Sequence, residues 1–236
     1  GFDYLYDKVG MYDTLRDVIC HRRGSEAITW AWQQTDDIKE HMLYFLENHD
    51  EQRIASDFFA GSGEKAIPAL VVSTLLQKNP FMLYAGQEWG ERGMDEEGFS
   101  GCDGRTSIFD YWSFDKHFSS LTLIYNKVLE ISRTDKAVSE GMTFDVMYAN
   151  HQYHRQYAFL RKAGKDILLV AVNFDDEPLT MHLVIPDHAF NYLEMQERVY
   201  QVTDLMTGHQ SSLVLMRDQL VSVSLEIRGA VVLKMK

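Results

Sequence analysis

Apolar and polar positions follow two different rules along this chain. Up to about residue 140, continuous apolar runs alternate with segments whose apolar residues fall three and four apart. Tyr12, Leu15, Val18 and Ile19 share one helical face, and Ile67, Leu70, Val71, Thr74 and Leu75 share another. Residues 42–46 and 81–85 are apolar throughout and read as buried strands. Phe118, Leu121, Tyr125 and Val128 mark a last amphipathic helix. Strands that are apolar on both faces and alternate with helices predict a parallel sheet covered on both sides.

Past residue 140 the helical spacing vanishes. The stretches "DILLVAVNF", "LTMHLVI" and "LVSVSLEI" read as strands, and "DDEP" at 175–178 and "TG" at 207–208 as turns. Val221, Val223, Leu225 and Ile227 alternate with Ser222, Ser224 and Glu226, so one face is predicted buried and the other wet. This half is expected to be an antiparallel β-sandwich. No internal repeat and no low-complexity segment interrupts the chain.

Composition narrows the functional classes. The 236 residues are 45% hydrophobic and 25% charged, enough for a substantial core. A formal net charge of -12 and the lack of any basic run disfavour nucleic acid as a partner. No apolar stretch approaches the roughly 18 residues of a membrane span. The opening "GFDYLYDK" lacks the pattern of a signal peptide and begins without Met, so the gene product is expected to start upstream. Cys20 and Cys102 make no disulfide framework and fit a reducing, cytoplasmic setting.

Polar residues gather where the predicted strands end. Glu47, Asn48, His49, Asp50 and Glu51 follow the first, and Gly86, Gln87 and Glu88 the second. In parallel α/β folds that is where ligands bind. Taken alone, Asn48-His49-Asp50 reads as a loop with a helix N-cap.

The segments in their order add to this. "FLENHDEQR" resembles the strand-seven motif of the α-amylase family of glycoside hydrolases, and "YAGQEWGER" that family's strand eight with the loop after it. "GFDYLYDK" is similar to the strand-six region. "ILLVAVNFDDEPLT" with the closing "GAVVLKMK" resembles the sandwich that follows the barrel. The resemblance implies α/β plus all-β architecture: an incomplete (β/α)8 barrel, approximately its last three units, over residues 1–140, then an antiparallel β-sandwich over 141–236. It implies an enzyme acting on α-linked oligo- or polysaccharides.

Retaining glycosidases pass through an oxocarbenium-like state, using one carboxylate as nucleophile and one carboxylic acid as proton donor. By resemblance, Asp50 is the family's third carboxylate, which stabilises the transition state. His49 matches its substrate-binding histidine, and Asn48 positions these neighbours. Glu47 and Glu51 have no carried-over role and read as solvated or paired. Arg53 is a further substrate-side candidate, which pairs with an acid near the site or at the surface. Gln87 and Glu88 stand at the second strand's mouth as substrate-side candidates. Tyr84 and Trp89 are candidates to stack on a sugar, with core packing favoured for Tyr84. No cofactor is implied. Asp95, Glu96, Glu97 and Asp103 are the acids a calcium ion would use, although their spacing fits no EF-hand and a solvated loop is the plainer reading. His151, His154 and His182 read as surface residues. Tyr148, Tyr153 and Tyr157 lie close together and read equally as packing or as a binding patch.

The family's nucleophilic Asp follows strand four and its acid Glu strand five, and no early acid here, including Asp3 and Asp7, matches either. A complete barrel takes about 250 residues. The chain is therefore expected to be inactive alone, and to expose apolar surface for the missing N-terminal barrel portion or for self-association. A non-catalytic carbohydrate-binding or partner protein on the same scaffold is the competing reading. Retention of His49 and of a buried carboxylate at Asp50 weighs against it.

Overall fold

Three short strands, β1 (Leu5–Tyr6), β2 (Met42–Phe45) and β3 (Phe81–Met82), lie side by side and parallel in that order in a computed structural model, which describes residues 1–93 and 119–236. Leu5 pairs with Met42, and Tyr44 with Phe81. Helices fill the connections, as parallel pairing requires. A π-helical turn (Lys8–Tyr12), α1 (Asp13–Ile19) and α2 (Glu26–Gln33) join β1 to β2, and α3 (Ile67–Leu75) joins β2 to β3. After β3 come α4 (Ser120–Thr134) and α5 (Lys136–Ser139).

Local chemistry sets these boundaries. Asp7 ends β1: its N–H donates to Leu43 O (3.1 Å), and its Oδ1 accepts from Met11 N–H (2.9 Å) to cap the π-helical turn. Pro68 sits in the first turn of α3, where its missing N–H costs nothing. Ser119 and Thr122 form a capping box at the start of α4. Leu121, Tyr125 and Val128 are buried as the spacing predicts, while Phe118 lies outside the described residues.

Two expectations change here. The strand predicted over 81–85 forms ladder bonds only at Phe81–Met82, after which the chain turns away. Helix α3 is not amphipathic: every residue from Pro68 to Leu75 is buried. It packs on β2 and α4 on one side and on strands of the second half on the other. A helix enclosed in this way needs apolar residues all round.

The second half holds β4 (Met142–Asp145), β5 (Gln156–Ala163), β6 (Asp166–Asn173), β7 (Leu179–Val184), α6 (Asp187–Tyr192), β8 (Arg198–Asp204), β9 (Gln210–Leu215), β10 (Leu220–Leu225) and β11 (Ala230–Met235). Six strands form one antiparallel sheet in the order β4-β5-β6-β11-β8-β9, and β7 pairs with β10 in a separate ribbon. Residue Gly164 takes φ +56° in the two-residue turn between β5 and β6, a conformation that glycine adopts freely. In the ribbon, Met181, Leu183, Val221, Val223 and Leu225 are buried, while Thr180–Ser224 and His182–Ser222 bond across the wet face at 3.0 and 2.9 Å. Ile227, predicted on the buried face, lies beyond the end of β10 and is exposed. The second half is also not free of helix, since α6 follows β7.

One buried cation ties the halves together. Arg161 on β5 is sealed from solvent, and burial lowers its pKa to about 10. Its guanidinium donates to Leu76 O (2.7 Å), Ala137 O (3.0 Å), Gly141 O (3.0 Å), Val138 O and Thr143 Oγ1. Carbonyls left over at the ends of α3 and α5 thereby find a donor. Among the described residues no helix is long and apolar enough to cross a membrane.

Candidate active site

The chain leaving β2 stays buried through Leu46, Glu47 and Asn48, then turns sharply outward. Asn48 makes the turn. Its Oδ1 accepts the N–H groups of Asp50 (2.8 Å) and Glu51 (2.9 Å), the local bond that suits asparagine to such corners. The next two side chains point to solvent: His49 is 61% and Asp50 52% exposed, with Nε2 and Oδ2 3.2 Å apart. Asp50, anticipated as a buried carboxylate, is half exposed in this chain.

Beneath this loop lies a buried ion pair, the paired alternative left open for Glu47 and Arg53. Glu47 and Arg53 are each 1% exposed, and Arg53 Nη1 donates to Glu47 Oε2 at 2.7 Å. Ile54 N–H donates to Glu47 Oε1 (2.7 Å), and Arg53 also reaches Ala85 O (2.9 Å) and lies over the Tyr84 ring. The pair therefore clips the mouth of β2 to the mouth of β3. Burial pushes the Glu47 pKa up to about 7, against the pull of Arg53 and the Ile54 N–H. Arg53, read as a substrate-side residue, is instead buried on Glu47: of its two proposed pairings, the acid near the site is the one found. Glu51 faces the other neighbour, with Lys8 at 3.3 Å and Arg16 at 3.6 Å. All three strand mouths are thus cross-linked by charge around residues 48–50.

The β3 mouth holds its candidates differently. Gly86 takes φ +94°, and its N–H donates to Glu88 Oε2 (3.1 Å). Glu88 remains partly exposed beside the loop, whereas Gln87 is buried and donates from Nε2 to Tyr125 OH (3.0 Å) on α4. Its side chain thus reaches the helix layer. Tyr84 and Trp89 are half-buried. Asp95, Glu96, Glu97 and Asp103 lie outside the described residues. Among the described residues no group of three or more His, Cys, Asp or Glu side chains is placed to hold a metal ion.

The structure thus brings Asn48, His49 and Asp50 together at one strand end, with Glu47 and Arg53 below them. A hydrogen-bond donor in His49 and a hydrogen-bond acceptor in Asp50 can bond adjacent hydroxyls of a sugar. Arg53 lies only six residues on, in the same segment, but the ring and the carbonyl that bury the pair, Tyr84 and Ala85 O, come from the next strand end, so the depth of Glu47 was not legible locally.

No family model and no curated protein sequence matches the chain. Solved structures do. A γ-CGTase from Alkalophilic bacillus clarkii is similar with a TM-score of 0.69 and 20% identity, over 95% of this chain and 31% of that one. The maltogenic α-amylase AmyB from Thermotoga neapolitana is similar with a TM-score of 0.71 and 16% identity, over 99% and 51%. AmyP in complex with maltose is similar with a TM-score of 0.70 and 18% identity, over 98% and 50%. The structures that resemble this chain are α-amylase family enzymes, and the likeness is one of fold. The chain spans about a third to a half of their length, consistent with a C-terminal portion.

Proposed function

We propose that this chain is the C-terminal portion of an α-amylase-type retaining glycoside hydrolase acting on α-linked glucans or related α-glucosides. In this reading residues 1–140 supply approximately the last three β/α units of a (β/α)8 barrel and residues 141–236 a β-sandwich domain. The carrying observation is the position of Asn48-His49-Asp50: at the C-terminal end of the middle of three parallel strands, in a chain that shares its fold with this family. Asp50 stabilises developing positive charge, His49 holds a sugar hydroxyl, and Asn48 sets the turn that presents both. Glu88 contributes at the neighbouring mouth. Arg53 and Gln87 act through what they hold, Glu47 and Tyr125.

The nucleophile and the proton donor match no residue of this chain, so the 236 residues alone should not hydrolyse glucans. The remaining strands would pair at β1, where Phe2, Tyr4, Leu5, Tyr6 and Val9 are exposed. A second copy is the other candidate for that surface. AmyP was solved with maltose, which supports an α-glucan as ligand.

The test compares the gene product that carries these residues with its Asp50→Asn variant on maltoheptaose. Turnover should fall roughly 100-fold or more, because a charge acting mainly in the transition state is lost. Unchanged turnover would sink the reading. Binding without any turnover by the wild type would favour the non-catalytic alternative.

A further inference from the structure

A groove of about 990 Å³ runs between α2 and the second half of the chain, and it shares no lining residue with the loop of residues 48–50. Trp30 and Trp32 of α2 stand on one wall, with Phe144, Tyr148, Tyr153 and Tyr192 across from them. We propose that this groove binds an oligosaccharide, whose rings stack on Trp30, Tyr148 and Tyr192.

The walls are fixed before any ligand arrives. Trp32 Nε1 donates to Tyr157 OH (3.2 Å), and that hydroxyl donates to Asp145 Oδ2 (2.7 Å). Asp145 also accepts from Met147 N–H (2.7 Å) and from the Thr29 hydroxyl, so α2 is bonded directly to the strand and turn opposite. Phe144 anchors the far wall, with ring centroids 6.3 Å from Tyr148 and 5.9 Å from Tyr192. Against this rigid base three rings stay open to solvent: Trp30 is 66%, Tyr148 53% and Tyr192 54% exposed. Aromatic surface carried on a preorganised base binds at a reduced ordering cost.

The chemistry of the lining selects the ligand. Among the described residues no Lys or Arg lines the groove, and beside the imidazoles of His151, His154 and His188 no permanent positive charge awaits a phosphate or carboxylate. The rim is polar: Glu26 and His154 stand 3.6 Å apart, with Gln33 and His151 beside them. A purely aliphatic ligand would leave those groups desolvated and unpaired. A pyranose meets both demands, with a C–H face for the rings and neutral hydroxyls for carboxylate, amide and imidazole. The volume is at the upper end of the roughly 300–1,000 Å³ of small-molecule sites, room for several sugar rings. That the linkage is α rests on the function proposed above; that the ligand is a glycan does not.

The test is calorimetric titration of this chain with maltoheptaose and, separately, with cellohexaose. Maltoheptaose should bind, and Trp30→Ala and Tyr192→Ala should each weaken it by roughly tenfold while Trp30→Phe retains most of the affinity. His49→Ala should leave this site unchanged. Circular dichroism and the unfolding midpoint confirm that each variant is folded, which the exposure of both rings favours. Binding indifferent to Trp30→Ala and Tyr192→Ala but abolished by His49→Ala would overturn the groove while sparing the α-glucan reading. Selective binding of cellohexaose, lost in Trp30→Ala, would uphold the groove and count against that reading. Failure of both glycans to bind would overturn the groove.

Discussion

Arg53 Nη1 stands 2.7 Å from Glu47 Oε2, and neither side chain reaches solvent. Removing one partner of such a pair leaves a buried charge uncompensated. Arg53→Met is therefore expected to lower unfolding stability by about 3–5 kcal/mol at neutral pH and above. Chemical denaturation checks this. A loss within about 0.5 kcal/mol, usual for surface substitutions, would show that the pair does not hold the two strand mouths together.

The same carboxyl makes stability depend on pH. Its folded pKa, about 7, lies above its ordinary value of 4.5. Between those values the folded chain keeps a proton that the unfolded chain has released. Stability contributed by this group is thus fully present below about pH 4.5 and is lost as pH rises through about 7, on the order of 3 kcal/mol in all. Denaturation midpoints of wild type and Glu47→Gln, taken from pH 5 to 8, isolate the effect. Parallel curves would mean that Glu47 stays ionised throughout.

Asn48→Ala removes the acceptor for two backbone N–H groups. A cost of about 1–2 kcal/mol is expected, with faster amide exchange at Asp50 and Glu51. Exchange unchanged at those two amides would show that the turn forms without its side chain.

Arg161→Met should cost more than about 3 kcal/mol, because several buried carbonyls lose their donor at once. The matched control is Arg198→Met, whose guanidinium lies over the Tyr200 ring near the surface and should matter little. Equal effects in a thermal melt would refute the distinction.

Much of this arrangement was legible in the residues. The apolar runs placed β2 and, in the second half, β6, β7 and β10, while β4, β5, β8 and β9 went unread; Asn48-His49-Asp50 follows the end of β2. What escaped was long-range. Glu47 read equally as solvated or as paired, since the cover that Tyr84 and Ala85 give its pair with Arg53 depends on a neighbouring strand. Helix α2 buries only Ile28 and Ala31, too short a stripe to register as periodicity. Helix α6, six residues long, left no repeat at all. The exposed rings of Trp30, Tyr148 and Tyr192 are far apart in sequence, so only the fold could gather them.

Helix α3 is shared property between the two sheets, apolar on every side because each sheet claims a face. A molecule assembled this way has no seam: peeling off either half strips the same helix and uncovers the core of the other. The parallel and antiparallel parts should therefore melt in one calorimetric transition, and a nick near residue 140 should release neither as a stable product.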